Sequence, residues 1–242
     1  MANFIDGLDY TLLINALMRL IPLLICITLH ELAHGYAANK LGDPTAKMMG
    51  RLTLNPIKHI DPVGALMILI VGFGWAKPVP VDMRNFKKPK RDMAITALAG
   101  PLTNVILAVV VLIILASVSG LLAGGDSRTA NIFFVRFAEG YIPTGVNEFI
   151  YQIIARTALL SFVLAIFNLL PIPPLDGSKI LFSILPDRTY IKLMRYEKYG
   201  MVILLALLFI PTILGLPDYF RMIIFEPASF LFITVSSFLG II

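Results

Sequence analysis

Charge is scarce in this chain: only 14% of its 242 residues are Asp, Glu, Lys or Arg. A soluble domain carries about 25%. The shortage excludes a sizeable water-exposed domain, and a hydrophobic content of 58% agrees. Cysteine is rarer still. The single thiol, Cys26, excludes an intrachain disulfide framework and leaves the redox compartment unread. No Lys or Arg precedes Arg19, and Asp6 and Asp9 stand there instead. A secretory leader begins with a basic stretch, so none is expected. Internal repeats, low-complexity tracts and a separable second domain are also lacking.

What the chain has is apolar length. Several runs reach the roughly 20 residues that cross a bilayer as helix. The expected fold is an all-α polytopic membrane protein with about five or six transmembrane helices. Full spans are expected at about Tyr10–Ala38, Met93–Leu122, Glu148–Leu170, Tyr199–Leu216 and Arg221–Ile242. Gly124–Asn147 reads as an external loop. The net charge of +5 fits anchoring loops rather than nucleic-acid binding. Arg19, inside the first run, is expected to snorkel to the surface or to pair with another helix.

The stretch near residues 50–80 reads differently. Gly50-Arg51-Leu52-Thr53-Leu54-Asn55-Pro56 alternates weakly and is punctuated by Gly and Pro, which favours a short strand or turn. The apolar run 62–76 is short and basic on both flanks. If both flanks are cytoplasmic, the run must return as a membrane-associated β-hairpin or re-entrant segment; otherwise it is a sixth span.

The first span carries His30-Glu31-Leu32-Ala33-His34. On a helix, residues four apart share one face, about 5–6 Å apart at Cβ, so two imidazoles can bind one metal ion. The glutamate between them can take a proton from water activated there. By chance such a pattern arises in on the order of one in a hundred chains of this length. Here it sits in an apolar helix, where polar residues are costly and need a reason.

A catalytic zinc site takes three protein ligands and keeps one position open. Asp176 is a candidate for the third. The prolines from Pro171 to Pro174 break the third span, leaving Asp176 on irregular backbone near membrane depth. Taken alone, Asp176 could equally cap a following helical turn. His59, the third and last histidine, is the other candidate ligand, though a hydrogen-bonded structural role fits it better.

Topology separates these readings. The stretches 39–60, 77–92 and 185–198 hold 14 of the 20 Lys and Arg residues. The positive-inside rule places all three in the cytoplasm. The N-terminus is then external, and the first and third spans both run inward. His30, His34 and Asp176 arrive at similar depth, towards the cytoplasmic side. A His–His–Asp set suits zinc, and ligand type alone does not exclude iron. Glu31 is the candidate general base. Asn168 is a candidate donor to a developing oxyanion. Asn104 reads as an interhelical hydrogen-bonding residue.

At these residues the sequence resembles the site-2 protease family of intramembrane zinc metalloproteases. The likeness rests on His30-Glu31-Leu32-Ala33-His34 and on Asn168 through Pro171 to Leu175-Asp176-Gly177. Gly100-Pro101 with Asn104 is similar to the family's middle helix, and Gly50–Pro56 to its compact prokaryotic branch. The resemblance covers about residues 20–180. It implies one zinc per chain held by His30, His34 and Asp176, with Glu31 as base and Asn168 near the substrate carbonyl. It implies a transmembrane protein or peptide substrate cut within the cell membrane, in contact with lipid. The 242 residues leave no room for the PDZ or CBS domains of many members. The expected organisation is one membrane-embedded domain, 1–242, with a catalytic core about 10–185 and two further helices about 199–242. The competing reading is a membrane metal-binding or transport protein; that would string ligands along a path, whereas one cluster is visible.

Overall fold

The computed structural model describes residues 10–71 and 74–241. The acidic segment with Asp6 and Asp9 lies outside the described residues. The helices are α1 Tyr10–Lys40, α2 Thr45–Met48, α3 Pro62–Val71, α4 Pro89–Leu122 and α5 Ser127–Ala138. They continue with α6 Val146–Leu169, α7 Asp176–Ser183, α8 Asp187–Tyr196, α9 Gly200–Ile213 and α10 Glu226–Phe238. A π-helical turn, Arg221–Phe225, leads into α10.

The protein is an all-α polytopic membrane protein. Among the described residues, four helices are long and apolar enough to cross a membrane: those of α1, α4 and α6, and the run Arg221–Phe238. The 14 residues of α9 are equally apolar but reach only about 21 Å, short of the ~30 Å hydrocarbon core. The five or six spans expected from sequence thus resolve into four of full length and one short apolar helix.

No strand forms among the described residues. The expected β segment is reduced to one antiparallel bridge, Ile60 with Ala76. Pro78 and Pro80 explain this, since neither has an N–H to extend a ladder. One side chain and one further backbone bond join the two segments instead. Arg51 Nη2 donates to the Lys77 carbonyl (2.7 Å), and Lys77 N–H donates to the His59 carbonyl (2.9 Å). The stretch expected from sequence as an external loop holds α5, started by Asp126, whose carboxylate accepts from the N–H groups of Arg128 and Thr129.

α1, α4 and α6 form the centre of the molecule, each packed on the other two. In one half, Ala108, Leu112 and Leu115 of α4 meet Tyr151, Ala155, Ala158 and Phe162 of α6, with Phe137 and Phe232 closing the cluster. The alanines let the backbones approach closely, which is how helices associate when burial from water is no longer the driving force. The outer face of α4 exposes Leu102, Ile106, Val110 and Ile113 at helical spacing. Such a stripe belongs against lipid.

The other half is polar inside. α1 and α4 run antiparallel there: His34 meets Thr96, and His30 meets Asn104. Asp43, fully buried just after α1, ties that end of the helix to residues 82–85. It accepts from Thr45, from Asn85 Nδ2 (2.7 Å) and from the Asp82 N–H (2.7 Å). Burial pushes its carboxyl up, but these donors outweigh burial and hold it below the usual carboxylate range. The tie lays residues 74–81 along the C-terminal end of α1.

Candidate metal centre

His30, His34 and Asp176 converge. His30 Nε2 and His34 Nε2 are 3.0 Å apart, and each is 3.1 Å from Asp176 Oδ2. All three residues are buried. His30 lies ten residues before the end of α1, so the cluster sits about 15 Å in from that end.

The tautomers follow from the outer contacts. His34 Nδ1 lies 2.7 Å from the Thr96 carbonyl, which can only accept. The proton is therefore on Nδ1, and Nε2 presents a lone pair. His30 Nδ1 lies 3.2 Å from the Asn104 amide, itself fully buried. An amide can turn either end to a neighbour. With its oxygen towards the ring, Asn104 accepts from Nδ1–H, and the otherwise unpartnered Oδ1 is satisfied. His30 Nε2 then also offers a lone pair. Two lone pairs and a carboxylate oxygen meeting at 3.0–3.1 Å repel one another unless a cation joins them. Edges of about 3.3 Å are expected across a tetrahedron with zinc bonds of 2.0–2.1 Å. The donor set and its spacing fit zinc.

Two glycines make the convergence possible. A Cβ on Gly100 would lie 2.5 Å from His34 Nε2 and 2.6 Å from His30 Cε1. Only a bare Cα lets α4 press onto both rings. A Cβ on Gly177 would lie 2.1 Å from the Leu169 carbonyl oxygen. Gly177 thus lets α7 fold back against the end of α6, and this brings Asp176, in the first turn of α7, to the histidines.

The cluster opens into a cavity of about 670 Å³. Glu31, Asn104 and Asn168 line it together with the three converging residues, and most of the remaining wall is apolar. Glu31 Oε2 accepts from the Val79 N–H (2.8 Å), which anchors the carboxylate to the 74–81 segment. Asn168 Nδ2 donates to the Leu164 carbonyl (2.9 Å) in its own helix.

His59 is not part of the cluster. Its ring donates from Nε2 to the Thr53 carbonyl (2.9 Å), and its backbone holds Lys77. It ties the 53–59 stretch together and holds it to Lys77. Thr96, Gly100 and Val79 touch the site and were not legible as site residues. Gly100 and Asn104 are four apart, one helical turn, and both face the histidines. That spacing was the available signal.

The profile of peptidase family M50 matches residues 18–211. YwhC of Bacillus subtilis, named as a zinc metalloprotease, is 42% identical over 79% of this chain and 80% of its own length. Rip2 of Mycolicibacterium smegmatis, also named as a zinc metalloprotease, is 29% identical over 78% of this chain and 66% of its own. The zinc metalloprotease MJ0392 of Methanocaldococcus jannaschii is 26% identical over 69% of this chain and 34% of its own. No solved structure matches. The chain belongs to peptidase family M50, the site-2 protease family of zinc metalloproteases.

Proposed function

We propose that this protein is an intramembrane zinc endopeptidase that hydrolyses peptide bonds in the transmembrane segments of membrane-protein substrates. The observation that carries the reading is the placement of three converging ligand atoms at the inner wall of a mostly apolar cavity among membrane-length helices. His30, His34 and Asp176 hold one zinc per chain. When bound there, zinc lowers the pKa of water towards 7 and polarises a carbonyl. Glu31, next to His30 and lining the same cavity, accepts the proton of the attacking water. As the water oxygen bonds to the carbonyl carbon and the C–N bond breaks, Glu31 passes that proton to the leaving nitrogen. The Val79 N–H holds one carboxylate oxygen in place throughout. Asn168 spends one amide N–H on Leu164, which leaves its second N–H for the substrate carbonyl oxygen. The count of basic residues puts the site towards the cytoplasmic side of the cell membrane, with the N-terminus outside.

The test is reconstitution of the purified chain in liposomes with a labelled transmembrane peptide. Cleavage should stop with a chelator and return with zinc. Glu31→Gln should slow cleavage by at least about 100-fold, the usual scale for losing a general base, with zinc content unchanged. Native-rate cleavage by Glu31→Gln would remove Glu31 from the mechanism. No chelator-sensitive cleavage by the native chain would refute the protease reading.

A further inference from the structure

A second cavity, of about 880 Å³, lies between the start of α4 and the end of α7, outside the metal centre. Its mouth is basic and its wall aliphatic. Lys88, Lys90 and Arg91 gather at the mouth, with Lys87 exposed beside them. Ile95 and Leu98 of α4 and Ile184 beyond α7 form the wall. All three are exposed, Ile184 at 78%.

The order along the helix is informative. Arg91, Ile95, Leu98 and Leu102 are spaced four, three and four apart, so they lie on one face of α4. From Arg91 to Leu102 that face descends about 16 Å. A cationic end therefore passes into an apolar stripe along the line from headgroup region to hydrocarbon. An amphiphile with an anionic head has the same polarity gradient, whereas a soluble anion would leave the stripe uncovered.

The charges do not cancel internally. Arg91 pairs with Asp92 (2.7 Å) and Lys90 with Asp187 (2.9 Å). The ammonium groups of Lys87 and Lys88 make no hydrogen bond or ion pair among the described residues, although the charge of Lys88 reaches Asp92. Two carboxylates face four cations, and the surplus sits at the mouth.

We propose that this groove binds an anionic phospholipid, its phosphate at Lys88, Lys90 and Arg91 and one acyl chain along Ile95, Leu98 and Ile184. Met83 lines both this groove and the cavity of the metal centre, so the acyl chain and that cavity share a wall. The inference stands apart from the protease reading and needs only that the chain is embedded in a bilayer.

The experiment is native mass spectrometry on the full chain, delipidated in detergent and titrated with phosphatidylglycerol, phosphatidylcholine or glycerol 3-phosphate. One phosphatidylglycerol per chain should be retained at concentrations at least tenfold below those needed for phosphatidylcholine. Glycerol 3-phosphate should not displace it. Each surface cation contributes about fivefold to attraction for an anionic lipid, so Lys87→Gln with Lys88→Gln should weaken phosphatidylglycerol binding roughly 30-fold. These two side chains hold no other element, so the variant should fold. Leu98→Asn should weaken both lipids. Equal retention of the two lipids by the native chain, or an undiminished preference in the double lysine variant, would overturn the proposal. So would effective competition by glycerol 3-phosphate, which would mark a simple anion site.

Discussion

Two buried carboxylates stand at opposite ends of α6, and the fold uses them in opposite ways. Glu148, in the first turn, is 2% exposed and fully answered by protein. Arg136 Nε (2.5 Å) and Gln152 Nε2 (3.1 Å) donate to Oε1, and Thr144 donates to Oε2 through its N–H (2.8 Å) and its hydroxyl (2.9 Å). Asp176, beyond the other end in the first turn of α7, is 8% exposed. It faces two imidazole nitrogens whose protons are directed away, towards Thr96 and Asn104. One carboxylate has every partner it needs. The other belongs to a set of acceptors that a cation would complete. Burial of a charged residue in a membrane helix therefore does not mark a site; an unanswered convergence does.

Removing each carboxylate in turn separates their two roles. Asp176→Ala should weaken zinc binding well over about 100-fold, beyond what loss of a supporting contact costs, and leave the helices in place. Glu148→Ala should leave one zinc per chain and lower unfolding stability by about 3 kcal/mol, because Arg136 loses its buried partner. That is the low end for a broken buried pair, since Arg136 is 27% exposed and water recovers part of the cost. Elemental analysis and unfolding in detergent check both. Loss of zinc from the Glu148 variant would erase the distinction.

A smaller effect is expected one contact out. Asn104→Leu removes the acceptor that orients His30 and should weaken zinc binding 10- to 100-fold, whereas Asn104→Asp should keep it. Competition with a chromogenic chelator reads this, and unchanged affinity in the Leu variant would remove Asn104 from the support of His30. The smallest contrast lies within α4. Gly100→Ala forces a Cβ against both rings and should cost about 1–3 kcal/mol together with zinc occupancy. Gly120→Ala meets nothing within 4 Å and should stabilise the helix by up to about 1 kcal/mol. Thermal unfolding with and without zinc separates them. Equal behaviour of the two variants would mean that α4 does not press on the histidines.

Much of this was legible in sequence because it is local. The four-residue spacing of His30 and His34 needs only a helix. The apolar runs need only length, and the distribution of lysines and arginines led to the expectation that Asp176 reaches the level of the histidines, which it meets. Tertiary contacts were not legible. That Thr96 offers its carbonyl to His34, or that Gly100 seats both rings, depends on how α1 crosses α4. The segment near 50–80 was legible in part: its two ends meet at the Ile60–Ala76 bridge, as a returning run requires, but the strand offered beside a turn does not form. Its alternation resembles a strand, but Pro78 and Pro80 remove the donors of a ladder, and Arg51 and His59 make the ties with a side chain and a backbone carbonyl. Residues 185–198 stood out in sequence only as a basic stretch, yet Asp187 opens α8, and Tyr190 buries itself against Lys90 and Met83.

The central claim is that two imidazoles and one carboxylate hold a single zinc with one position open. Zinc K-edge X-ray absorption on the native chain tests it most directly. The expected spectrum is that of a four-coordinate ion with nitrogen and oxygen neighbours at about 2.0–2.1 Å, two of them imidazole, and no sulfur near 2.3 Å. A third imidazole, or a sulfur neighbour from Cys26, would contradict it.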